Sequence, residues 1–121
     1  LALPELERAI AKEPNDPYWH LYRLTTMRRL GMPIDVEGVP SIGIWPGTLL
    51  DLHVGRTTPD EVLGRAETEG RRAEALFQLG VQNVDQDRQL AVMYWKKVIE
   101  RSPPSLIEHA AARNELARCS P

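Results

Sequence analysis

At 121 residues, with 42% hydrophobic and 26% charged side chains, the chain carries enough apolar material for one buried core and too much for wholesale disorder. Fifteen Lys and Arg against 17 Asp and Glu leave a net charge of −2, which removes any global electrostatic reason to bind nucleic acid or an anionic membrane. No apolar stretch approaches the roughly 20 residues that span a bilayer, and the single cysteine, Cys119, cannot close an internal disulfide.

The N-terminal Leu1-Ala2-Leu3-Pro4-Glu5 lacks the charged start and long apolar run of a secretory signal. Because it opens without Met, the chain is expected to be a trimmed piece of a longer protein. Leu3, Leu6 and Ile10 then mark a first helix that ends near Lys12-Glu13-Pro14. Asp16-Pro17 reads as an N-cap followed by a first-turn proline, opening a helix through Tyr18, Leu21, Tyr22 and Thr25 that stops at Gly31-Met32-Pro33. Residues 1–33 therefore read as a front helical hairpin.

From 34 to 44, Val36, Val39, Ile42 and Ile44 alternate with Gly38, Pro40 and Gly43, a mixture too broken for a long helix. This stretch reads as a connector, with a short strand as the alternative. Pro46 can start a short helix carrying Leu49, Leu50 and His53, and Gly55 can end it. Thr58-Pro59-Asp60-Glu61 combines a capping box with a first-turn proline and leads into Val62, Leu63 and Ala66.

The clearest periodicity lies between Ala73 and Val84, where Ala73, Leu76, Phe77, Gly80, Val81 and Val84 share one helix face. Leu90, Ala91, Tyr94, Trp95 and Val98 repeat the pattern, while Lys96, Lys97 and Glu100 point elsewhere. The intervening Asn83-Val84-Asp85-Gln86-Asp87 is short and rich in cap formers, which predicts an antiparallel hairpin. Ser102-Pro103-Pro104 stops the second helix, and Ser105 with Glu108 forms a capping box expected to start a last, alanine-rich helix running to about Arg118. The expected fold is all-α: about seven helices of uneven length, paired as antiparallel hairpins in one domain over 1–121.

Leu79-Gly80 in the first helix of the clear hairpin, Ala91 and Trp95 in the second, and Pro103 after it resemble a tetratricopeptide repeat with one residue fewer in the turn. The resemblance implies that the hairpins stack as a short α-solenoid. Between 45 and 118 the chain is similar to something more particular. Trp45-Pro46-Gly47 with Leu52, Gly55, the segment from Thr58 to Leu63, the segment from Glu74 to Gly80, Ile107-Glu108-His109, Ala112-Arg113 and Glu115-Leu116 carry that similarity. They resemble the C-terminal region of tetratricopeptide-repeat lipoproteins of the bacterial "new lipoprotein I" kind. Such proteins are envelope adaptors that gather peptidoglycan hydrolases and a protease, and some are dimers. The resemblance implies a scaffold in the bacterial periplasm or envelope; without it, the cytoplasm is the default.

The residues point to no reaction. His20, His53 and His109 lie in separate elements without metal-ligand spacing, so no metal is expected. Asp85-Gln86-Asp87 lacks the glycine and the glutamate that a calcium loop would place further on, so it reads as helix capping. Cys119 sits near the chain end, Asp51 and Asp60 are not placed as an acid–base pair, and between Gly43 and Gly47 bulky Ile44, Trp45 and Pro46 stand where a phosphate cradle would need small residues. No catalytic residue or cofactor is expected.

Protein or peptide binding is the function this pattern favours, with self-association, as in a homodimer, as the alternative. Arg71 and Arg72 are placed to flank a groove for an acidic peptide end, as Lys or Arg clamps do in some tetratricopeptide domains, or to pair with Glu67 and Glu69. In a repeat of this kind the first helix lines the inner groove, which nominates Glu74, Phe77, Gln78 and Val81 as further contacts, although Phe77 fits the buried stripe equally well.

Overall fold

The computed structural model describes residues 2–119. They form seven α-helices and one 3-10 turn, with no strand among the described residues. The chain divides into two compact units, Leu1–Thr58 and Pro59–Pro121. The short helix after Pro46 packs on the front hairpin within the first unit.

In the first unit, α1 (Leu3–Lys12) packs against α2 (Pro17–Arg29). Their antiparallel course follows from the four-residue link and from the Glu7–Arg23 ion pair at 3.8 Å, which joins positions symmetric about it. Asp16 caps α2 as expected, its carboxylate accepting the Tyr18 amide at 2.9 Å, and Pro17 occupies the first helical position where its missing amide costs nothing. The His20 ring donates from Nε2 to the Pro14 carbonyl at 2.8 Å, tying the link to the helix it precedes.

Two glycines close helices in this unit. At Gly31 (φ +66°) the Met32 amide reaches the Met27 carbonyl at 3.0 Å and the Gly31 amide reaches Arg28 at 3.1 Å. At Gly55 (φ +77°) the Arg56 amide reaches Asp51 and the Gly55 amide reaches Leu52 in the same pattern, ending α3 (Gly47–His53). Both are Schellman closures that require a left-handed residue. The connector carries a 3-10 turn, Val36–Gly38, and no strand. Arg56 holds it down by donating to the carbonyls of Val36 (3.1 Å) and Val39 (2.8 Å) while pairing with Asp51 at 3.5 Å.

The second unit holds α4 (Pro59–Arg65), α5 (Glu69–Asn83), α6 (Arg88–Arg101) and α7 (Ile107–Cys119). α5 and α6 form the expected hairpin, with α4 against α5 and α7 against both. α5 begins four residues before the first periodic position, Ala73, because Thr68 caps it: Thr68 Oγ1 accepts the Arg71 amide at 3.1 Å. Asp87 caps α6 in the same way through the Leu90 amide at 3.1 Å, and the calcium-like string is spent on that cap.

Leu76, Phe77, Val81, Ala91, Trp95, Val98 and Ala112 form the core of this unit. Trp95 is 0% exposed, its indole Nε1–H donates to the Phe77 carbonyl at 3.1 Å, and its ring lies 6.4 Å from that of Phe77. A Cβ added at Gly80 would overlap the Nε1, Cε2 and Cδ1 atoms of this indole. Gly80 is therefore the notch for one tryptophan.

α7 starts at Ile107, one residue later than a cap at Ser105 would place it. The cause is the preceding Pro103-Pro104: the chain turns there, with the Leu106 amide on the Pro103 carbonyl at 3.1 Å, and Ser105 is consumed within that turn. His109 anchors the new helix by donating from Nδ1 to the Ser102 carbonyl at 3.2 Å, and it is buried in doing so.

Gly80→Ala is expected to destabilise the protein by about 1–3 kcal/mol, despite the roughly 1 kcal/mol that alanine gains in helix propensity, because the indole it displaces has nowhere to go. Urea unfolding followed by far-ultraviolet circular dichroism measures this; a more stable variant would mean that Trp95 is free to move.

Candidate functional site

The six residues nominated on α5 do not form one surface. Phe77, Gln78 and Val81 are buried, with Phe77 and Val81 inside the hydrophobic cluster, whereas Arg71 and Glu74 are half-buried and Arg72 is exposed. For Phe77 the buried alternative is the one observed: its ring meets Trp95 and its carbonyl accepts the indole proton. The expected pairing of Arg71 and Arg72 with Glu67 and Glu69 is absent, since neither carboxylate lies within ion-pair distance of a described basic side chain. Arg72 instead donates from Nη1 to the backbone carbonyls of Ala66 and Glu67, each at 3.4 Å.

Of the six, Arg72 alone lines a pocket of this unit with a volume of about 360 Å³, bounded by α4, α5 and α6. Its α5 wall is Glu69, Arg72, Ala73 and Leu76, spaced i, i+3, i+4, i+7 along one face. Its α6 wall is Lys97, Val98 and Arg101, continued by Ser102, and Leu63 of α4 completes the lining. Ala73, Leu76 and Val98 are buried and make an apolar floor with Leu63. Arg72, Arg101 and Glu69 are exposed and Lys97 half-exposed, making a polar rim.

Each rim group has a physical account. The Ala66 and Glu67 carbonyls before α5 engage Arg72 at the helix start through its Nη1. Lys97 sits with its ammonium 5.9 Å from the centroid of the Tyr94 ring, three residues back on α6. Arg101 stands in the last turn of α6, where a cation complements the helix dipole, and Glu69 stands in the first turn of α5, where a carboxylate does. Ser102 is not a free hydroxyl: its Oγ–H donates to the Val98 carbonyl in a short hydrogen bond.

Sequence reading found Arg72 but missed Leu63, Glu69, Lys97 and Arg101. A signal for two of these existed. Lys97 and Arg101 are four apart on α6 and flank Val98, so they had to border whatever Val98 covers. Lys97 was expected to point away with Lys96 and Glu100, yet a long side chain whose stem follows an apolar surface reaches the edge of the seam.

The first unit carries a second cavity, also about 360 Å³, lined by Glu7, Ile10, Ala11, His20, Arg23, Asp35 and Gly38. Its polar groups are largely spent on one another or on backbone, through Glu7–Arg23 and His20–Pro14. Among the described residues no three His, Cys, Asp or Glu side chains converge as a metal site would require, and no helix is long and apolar enough to cross a membrane. Comparison with known proteins gives no matching family model, no similar curated protein and no matching solved structure.

Lys97→Gln and Arg101→Gln should each change stability by about 0.5 kcal/mol or less, because exposed charges contribute little to folding, whereas Leu76→Ala should cost about 2 kcal/mol or more. Thermal unfolding of the three variants checks this. A large loss for either rim variant would make that cation a structural element.

Proposed function

We propose that the chain is a non-catalytic protein-interaction module, a tetratricopeptide-like adaptor or scaffold that receives a peptide or protein partner in the α4–α6 pocket. The observation that carries the reading is the pocket itself: an apolar floor open to solvent, rimmed by Arg72, Lys97 and Arg101. Such a surface offers burial to an apolar side chain and registration by charge, the division of labour found at protein interfaces. The hairpin supports the likeness to a tetratricopeptide repeat, because Gly80, Ala91 and Trp95 occupy the interlocking positions that the repeat pattern assigns to small and aromatic residues. No reaction is assigned to the pocket: its polar groups are three cations, a carboxylate beside a helix start, and a hydroxyl whose proton is already donated to Val98.

Self-association is the second reading, favoured by large apolar side chains on the surface, notably Ile107 at 82% exposure, Ile44 at 69% and Leu30 at 63%. Sedimentation equilibrium across a dilution series separates the two: a dimer that persists supports association between copies, and a monomer supports an adaptor.

Affinity capture from an extract of the encoding organism, with the wild-type chain and a Lys97→Glu, Arg101→Glu variant as parallel baits, tests the adaptor reading. A specific protein held by the wild type, lost from the variant and rebound when purified would support it. Absence of any protein specific to the wild-type bait, together with a persistent dimer, would overturn it in favour of self-association.

A further inference from the structure

Resting on the interaction reading, the geometry points to one class of occupant for the α4–α6 pocket: an acidic peptide segment that seats an apolar side chain on the floor and places carboxylates on either side of it. Charge complementarity carries the inference. The lining holds Arg72, Lys97 and Arg101 against the single carboxylate of Glu69, so three positive and one negative leave +2 locally, in a chain whose formal net charge is −2. The positive rim is therefore a local departure from the composition of the molecule.

The cations are also available. Arg101 and Lys97 make no ion pair with any described carboxylate, and the only aromatic contact of Lys97 is the Tyr94 ring. Arg72 spends Nη1 on the Ala66 and Glu67 carbonyls, which orients the guanidinium and leaves Nε and Nη2 as donors for an incoming carboxylate. Pre-orientation of this kind lowers the ordering cost of binding.

The floor selects what accompanies the acid. Leu63, Ala73, Leu76 and Val98 offer only aliphatic surface, and a cavity of about 360 Å³ has room for one or two side chains. No aromatic residue lines it, so it lacks the stacking platform by which single-stranded nucleic acid is held. An alternating peptide, with an aliphatic residue between two acidic ones, uses the floor and the cations together.

The test is a nuclear magnetic resonance titration of the 15N-labelled full chain with an end-blocked Ser-Glu-Leu-Glu-Ser peptide. Parallel titrations use Ser-Gln-Leu-Gln-Ser, Ser-Glu-Ser-Glu-Ser, and inorganic phosphate. The expected result is saturating amide shifts confined to residues 63–76 and 97–102 with the first peptide alone, and an affinity that falls roughly three- to tenfold in the Lys97→Gln, Arg101→Gln variant. An Arg101→Lys variant, which keeps the charge, should bind like the wild type. Equal shifts with the glutamine peptide, the same shifts with the leucine-free peptide or phosphate, or no shifts at these residues would each overturn the proposal. Capture of a native partner that survives in the Lys97→Glu, Arg101→Glu bait would overturn this occupant while leaving the interaction reading in place. Loss of the interaction reading itself shows separately, as absence of capture with the wild-type bait.

Discussion

The second unit depends on one contact, the insertion of Trp95 into the space left by Gly80. Two helices approach closely only where one lacks a side chain, and a buried indole is tolerated only if its N–H finds an acceptor. Both conditions are met by the same stretch of α5: Gly80 supplies the notch and the Phe77 carbonyl, one turn earlier, accepts the proton. That carbonyl already belongs to the hydrogen-bonding run of α5, so its second lone pair is used without breaking the helix. Trp95 thereby fixes the register of α6 on α5. Val98, one turn further along α6, then falls opposite Ala73 and Leu76, which is what creates the apolar floor.

This part of the fold was legible because local and tertiary requirements coincide in it. The apolar positions recur at helical spacing, the small and aromatic residues alternate across the two helices, and Asp87 sits where a cap is needed. The elements misjudged are those where two local signals compete. Ser105 and Glu108 have the spacing of a capping box, but the chain turns from Pro103 to Leu106, with Ser105 inside the turn, and α7 begins after it. Thr68 was overlooked for the opposite reason: the apolar rhythm begins only at Ala73, so the polar first turn of α5, including Glu69 and Arg72, carries no periodic signal. The site lies largely in that turn and at the far end of α6, which is why its rim was the least readable part.

The first unit shows a different economy. Its helices bury Leu6, Leu21, Leu24, Leu49, Leu50 and Leu52, while its connector lacks regular structure beyond one 3-10 turn and is held by hydrogen bonds from single side chains. Arg56 reaches two connector carbonyls and one carboxylate, and Arg28 donates to the His53 carbonyl at 2.8 Å at the end of α3. Long-range bonds from arginine to backbone carbonyls have no sequence signature, because any carbonyl serves as acceptor. Grouping 45–58 with the residues that follow it was natural from motif order. Grouping it with those that precede it required knowing that α3 packs on α2 and that Arg56 reaches back to Val36.

The charges around the floor differ in what the fold asks of them. Arg101 is favoured at the end of α6 by the helix dipole, and Glu69 at the start of α5 by the same field with opposite sign. Arg72 is tied to the carbonyls that lead into α5. Lys97 has none of these reasons. It lies one turn before the end of α6, without an ion pair to a described carboxylate, and its contact with the Tyr94 ring is worth on the order of 0.5–1 kcal/mol. A glutamate or glutamine would serve α6 equally well in propensity. Lys97 is therefore the rim residue whose identity folding explains least.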